Sequence, residues 1–140
     1  MKANAIAFLT ASVLLFASSA HADTADIREW LVPWPKKSPG HVYVDGGGRI
    51  WFISEKGDYA ANLSPETNEF HRYDLPKGTA ATSLLIDANQ VLWFASSKRK
   101  YIGSLNPATG RISEIPLPDK KAKDPFALIF DDFGDIWFTT

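Results

Sequence analysis

Three short segments, IWFIS from Ile50, VLWFA from Val91 and IWFTT from Ile136, write one apolar, aromatic pattern three times, with Trp51, Trp93 and Trp137 spaced 42 and 44 residues apart. Other positions keep the same register. Asp45, Asp87 and Asp131 each stand six residues before their tryptophan, Tyr59 and Tyr101 eight after it, and Leu63 and Leu105 twelve after it. Ser64-Pro65-Glu66-Thr67-Asn68 returns as Asn106-Pro107-Ala108-Thr109-Gly110, with Asn68 and Gly110 both able to take the positive φ that closes a tight turn. IREWLVP from Ile27, FHRYDLP from Phe70 and ISEIPLP from Ile112 each close on a proline: Pro33, Pro76 and Pro118.

A period of about 40–50 residues means either paired helices in a solenoid or four strands in a propeller blade. Each repeat breaks into runs rich in Val, Ile, Tyr, Phe and Trp, bounded by Gly, Pro, Asn and Asp, which leaves no room for a helix. The expected class is therefore all-β, with blades of four antiparallel strands. The first blade is read as His41–Asp45, Ile50–Ser54, Tyr59–Ser64 and Phe70–Leu75, and the second as Ser83–Asp87, Val91–Ala95, Tyr101–Asn106 and Ile112–Leu117. A blade over 39–80, a blade over 81–124 and the start of a third over 125–140 make about two and a half repeats, preceded by an outer strand at 27–33. The second strand of a blade meets neighbouring blades on both faces, so Trp-Phe fills the wedge between sheets. The fourth is an outer edge, where a closing proline costs no ladder bond.

Residues 1–22 differ from all that follows: one lysine, an uncharged apolar run from Ala5 to Phe16, then Ala20-His21-Ala22. This is the grammar of a signal peptide cleaved before Asp23, with a periplasmic or secreted product over 23–140 and no membrane anchor once it is removed. No later segment approaches the roughly 20 apolar residues of a membrane span. The absence of cysteine excludes disulfides and thiol chemistry. A formal net charge of −1 suggests no nucleic-acid or anionic-membrane partner.

The stretches Tyr101-Ile102-Gly103-Ser104-Leu105-Asn106-Pro107-Ala108-Thr109-Gly110-Arg111-Ile112 and Asp131-Asp132-Phe133-Gly134-Asp135-Ile136-Trp137-Phe138-Thr139 resemble the blade of the streptogramin lyase (virginiamycin B lyase) family. The resemblance runs from about Ile27 to Thr140 and is specific for the blade, not for the activity. It implies a seven-bladed ring and a Mg-dependent elimination that opens cyclic streptogramin B antibiotics, worked by His and Glu residues mostly of later blades. The family's Pro-His-Gly at the start of a blade is here Pro39-Gly40-His41, then Ala81-Thr82-Ser83, then Pro125-Phe126-Ala127. Its Trp-Phe-Thr-Glu becomes Trp51-Phe52-Ile53-Ser54, with Glu55 one residue late. No catalytic residue transfers cleanly, and Mg rests on the resemblance alone.

His41 and Glu55 are the candidate ligand-binding pair, since both fall at strand ends near a mouth of the ring. The alternative makes His41 a strand-edge residue and Glu55 a solvated hairpin residue. No metal set is read: His41 and Glu55 lack ligand spacing, and Asp131, Asp132 and Asp135 lack the EF-hand order. Gly46-Gly47-Gly48 reads as a hairpin turn rather than a phosphate loop. Lys98-Arg99-Lys100 reads as a solvated hairpin or an anion site, and Trp30 and Trp34 as packing on the outer rim or a stacking platform. Three functions stay open: a lyase, a non-catalytic propeller that binds a small ligand or partner protein at one mouth, and an N-terminal fragment without the catalytic blades. The last needs self-association or further C-terminal blades to close its ring.

Overall fold

The computed structural model describes residues 25–140; the signal peptide expected at 1–22, with its cleavage before Asp23, lies outside the described residues. The chain is all-β. One sheet runs β1 (Pro39–Val44), β2 (Ile50–Ser54), β3 (Tyr59–Ser64), β4 (Glu69–Asp74) and a second runs β5 (Ala81–Ile86), β6 (Leu92–Ser96), β7 (Tyr101–Asn106), β8 (Arg111–Pro116), each antiparallel and in chain order. β9 (Leu128–Phe130) and β10 (Ile136–Phe138) pair as the inner half of a third. These are the two and a half blades that the repeat predicts.

The inner strands of blades one and two end one residue earlier than expected, and β9 stops at the same register. Asp45, Asp87 and Asp131 leave their strands because each carboxylate is needed in the hairpin that follows. Asp45 Oδ1 accepts the amides of Gly47 and Arg49 at 2.9 and 3.0 Å, and Oδ2 accepts the Trp51 indole N–H at 2.8 Å. Asp87 holds Asn89, Val91 and Trp93 in the same way, at 2.9, 2.9 and 3.0 Å. Asp131 holds Phe133, Asp135 and Trp137 at 2.9, 2.9 and 2.8 Å. The turn residue Gly48, Gln90 or Gly134 takes positive φ at the same place in each copy, and so do Asn68 and Gly110 in the β3–β4 and β7–β8 turns.

Strand alternation gives each blade two faces. Val42, Phe52 and Ala61 share one; Tyr43, Trp51 and Ala60 share the other. The second face of blade one (Trp51, Ile53, Ala60) packs on the first face of blade two (Leu84, Ile86, Phe94, Leu105), and the second face of blade two (Ala95, Ile102) packs on Leu128 of the third. The faces without a neighbouring sheet are open. Leu84 and Ile86 are 0 % and 8 % exposed, whereas Val42 and Val44, at the same register on blade one, are 55 % and 59 % exposed. Trp51 is 1 % exposed, and Trp137, its copy on the third sheet, is 62 % exposed.

The expected outer strand at 27–33 forms no ladder. A fourth strand pairs with a third, and no third strand of its own sheet stands beside this segment among the described residues. Its end is nevertheless placed as the sequence register requires: Val32 and Trp34 lie against Phe52, Tyr59, Ala61 and Phe70 of blade one, as Leu75 lies against blade two. Ser54 Oγ reaches the carbonyls of Lys36 and Lys37, as Ser96 Oγ reaches that of Thr79.

Two glycines, Gly57 and Gly103, are forced by packing. The tip of the Phe94 ring sits against Gly103, where an added Cβ would meet Phe94 Cζ at 2.2 Å. Blade one has Ala61 at this register. Gly103→Ala is expected to lower stability by about 1–3 kcal/mol through overpacking, read as a fall in denaturant midpoint.

Candidate functional site

His41 and Glu55 lie at the same end of blade one, since Pro39 pairs with Ser54 and Glu55 follows at once. They are not joined: among the described residues no hydrogen bond or ion pair links them, and Glu55 is exposed and bonded to nothing. His41 is engaged elsewhere. The β1–β2 register slips between Pro39 and Val42, and this irregularity re-aims the imidazole across the blade boundary. There Nδ1 accepts the backbone N–H of Leu84 at 2.9 Å, with Ser83 Oγ at 3.5 Å. An accepting Nδ1 carries no proton, so the proton of the neutral ring sits on Nε2.

The second blade repeats the device with a different side chain. Ser83 occupies the register of His41, beside the equivalent slip in β5, and its hydroxyl accepts the N–H of Leu128 on the third sheet at 3.3 Å. Thr82 Oγ1 adds a bond to the Pro125 carbonyl at 3.2 Å. His41 therefore ties blade one to blade two as Ser83 ties blade two to the third sheet. The sequence displays the shared register but not this role, because the acceptor-to-amide distance depends on how the sheets stack.

Other candidates also resolve into packing. Trp30 donates its indole N–H to Asn68 Oδ1 at 2.7 Å, and Trp34 meets Tyr59 and Phe70 edge-on at 5.6 and 5.9 Å, on the sheet face rather than the rim. Arg72 stacks 4.4 Å over Tyr59. Arg99 forks onto Glu114 at 2.8 and 3.1 Å, leaving Lys98 and Lys100 without an ion partner among the described residues. The buried hydroxyl of Tyr101 bonds Thr79 Oγ1 at 2.9 Å; that of Tyr59, with Lys37 at the position equivalent to Thr79, meets no partner among the described residues.

Two clefts open between blades at the end carrying the β1–β2 type hairpins. Between blades one and two, Tyr73 stacks on Trp51 at 5.6 Å and Arg49 bridges Asp45 and Gln90, leaving a cleft of about 260 Å³. Between blade two and the third sheet, Ile115 stands at the Tyr73 register and Val91 at that of Arg49. Trp93 is half-open there, beside a cleft of about 600 Å³ that Asn89, Phe130 and Asp135 also line.

A Mg ion needs several converging oxygens. Among the described residues no three of His, Cys, Asp or Glu come together, and the aspartates of the repeat are occupied by their turns and tryptophans. The described residues do not fit the metal that the resemblance implies.

No family model and no curated relative matches the sequence. Solved structures do. The chain is similar to a catalytically inactive virginiamycin B lyase from Staphylococcus aureus with quinupristin, at 26 % identity and TM-score 0.72 over 80 % of this chain and 38 % of that one. A streptogramin B lyase structure aligns at 24 % identity and TM-score 0.70, over 77 % and 36 %. The fold is that of a streptogramin-lyase-like β-propeller. The chain spans a little over a third of the length of these lyases. A more distant likeness, 15 % identical with TM-score 0.56 over 74 % of this chain and 13 % of the other, is the extracellular domain of a one component system from B. thetaiotaomicron. No helix among the described residues is long and apolar enough to cross a membrane.

The bonds made by His41, Asp45 and Asp131 have measurable consequences for stability. Replacing His41 by Ala strips the buried Leu84 N–H of its acceptor and is expected to cost about 1–3 kcal/mol by chemical denaturation, against the half kcal/mol or so of an ordinary surface change. The second concerns acid. Burial pushes the Asp45 carboxyl up, but the Trp51 indole and the donors of Arg49 and Gly47 outweigh it and hold the pKa below the ordinary 3.8. Asp131 is held below 3.8 chiefly by the Trp137 indole, with the Asp135 amide next. Folding therefore gains from both ionised carboxylates fully above the unfolded value and loses that gain as pH falls through the lower folded values. A pH series of thermal melts should be flat for these groups above the ordinary carboxylate range and fall below it, and Asp45→Asn should flatten the fall.

Proposed function

We propose that the protein is an exported propeller of streptogramin-lyase type, periplasmic or secreted, whose described blades serve as scaffold and hold no elimination site of their own. The observation that carries this reading is the bond from the Leu84 amide to His41 Nδ1: the one histidine at the family's mouth position is spent on joining blades. An elimination needs a base at the carbon and an acid or metal at the leaving oxygen, held in one geometry. Glu55 alone, exposed and without a bond among the described residues, supplies neither pairing nor placement.

The open faces support a second part of the proposal. Val42, Val44 and Trp137 stand where their register copies are covered by a neighbouring sheet, so further blades, from a longer chain or from other copies, complete the ring. A small ligand or partner protein held at one mouth is the alternative, favoured by the unbonded Glu55 at the same end as His41.

The test is direct. The purified chain is expected to leave a streptogramin B antibiotic cyclic, with or without magnesium, and to run in gel filtration with light scattering as assemblies rather than as a monodisperse monomer. Linearisation that EDTA abolishes would overturn the scaffold reading. A monomer with strongly protected amides in both Ile27–Val32 and β10 would overturn the need for further blades.

A further inference from the structure

Antiparallel alternation sends two kinds of loop to one end of the blades: the linkers into β1, β5 and β9, and the β2–β3 and β6–β7 hairpins. Every lysine among the described residues, nine in all, lies in these loops. Two precede β1, one is in the β2–β3 hairpin, one precedes β5, Lys98 and Lys100 are in the β6–β7 hairpin, and Lys120, Lys121 and Lys123 precede β9. All nine are exposed, and none forms an ion pair among the described residues. Counted from Trp34 onward, the same loops hold four acids, Glu55, Asp58, Asp119 and Asp124, of which Asp58 is occupied by the amides of Gly78 and Ala80 at 2.8 and 3.0 Å. The hairpins at the opposite end hold no lysine and six acids, Asp131, Asp132 and Asp135 among them.

We propose that the lysine-bearing end docks the protein on an anionic lipid surface. A near-zero net charge conceals a molecule with two ends of opposite sign. Three features favour lipid over a compact anion or a polymer. The lysines are spread across loops of all three blades and line none of the clefts described above, so they form a broad face rather than a pocket. They are lysines, hydrated point charges on flexible stems, rather than the arginine forks that seat a discrete phosphate or sulfate. Phe126, 63 % exposed, sits at the same end beside the lysines that precede β9, where an aromatic ring can enter the headgroup boundary. The acidic end is repelled by the same surface, so binding orients the ring with the 600 Å³ cleft facing away.

The experiment is co-sedimentation of the full chain with phosphatidylcholine vesicles, with and without phosphatidylglycerol, at low and high salt. Binding is expected only with phosphatidylglycerol and is lost at high salt. Lys98→Gln with Lys100→Gln, and separately Lys120→Gln with Lys121→Gln, should each weaken it about thirtyfold, the effect of removing two surface lysines. Glu66→Gln at the acidic end should not weaken it, and Phe126→Ser should weaken it several-fold. The leader is common to every variant, so differences between variants read the loops. Equal binding to neutral vesicles, lysine variants that bind like the parent, or retention on dextran sulfate or DNA with none on vesicles would each overturn the proposal.

Discussion

A single carboxylate in each repeat decides where a strand ends, how its hairpin turns and where its tryptophan sits. Asp45, Asp87 and Asp131 accept two turn amides through one oxygen and an indole N–H through the other. Each bond to a charged acceptor contributes about 1.5–3 kcal/mol where it is sheltered. The indole matters most for the architecture. With its polar edge satisfied within the blade, its apolar body can be offered to the next sheet with no unpaired donor carried into the interface. Blade stacking depends on that arrangement, because Trp51 is central to the contact between the first two sheets.

The same device bears on chemistry. Acidic residues in tight turns invite a metal reading, yet here their oxygens are committed to the protein's own donors. Likewise a histidine at a ring mouth invites a catalytic reading, yet its accepting nitrogen is committed to a backbone amide of the neighbouring blade. Both are cases in which hydrogen-bond accounting, more than residue type, separates a scaffold from a site.

Much of the architecture could be read from the chain alone, for local reasons. Strand order, the two-faced Trp-Phe strand and the positive φ of Asn68 and Gly110 follow from alternation and turn chemistry within one repeat. What escaped the reading crosses repeats. The Asp-to-Trp spacing was visible as a register mark, but not as a bond, because a six-residue offset points nowhere until the hairpin folds. His41 meets an amide 43 residues away through an irregular strand. The segment at 27–33 has a fourth strand's sequence without a third strand beside it among the described residues. Net charge sums the lysines and aspartates that the antiparallel order then sorts to opposite ends.

The bridging position between sheets is His41 on the first blade, Ser83 on the second and Ala127 on the third. The first bond is 2.9 Å, the second 3.3 Å, and an alanine has no side-chain acceptor to offer. The second joint also has Thr82 Oγ1 on the Pro125 carbonyl at 3.2 Å, so two hydroxyls pin it where one imidazole pins the first. Past Ala127 the same position offers no side-chain acceptor, so any sheet stacked there is held at that point by packing rather than by a polar pin.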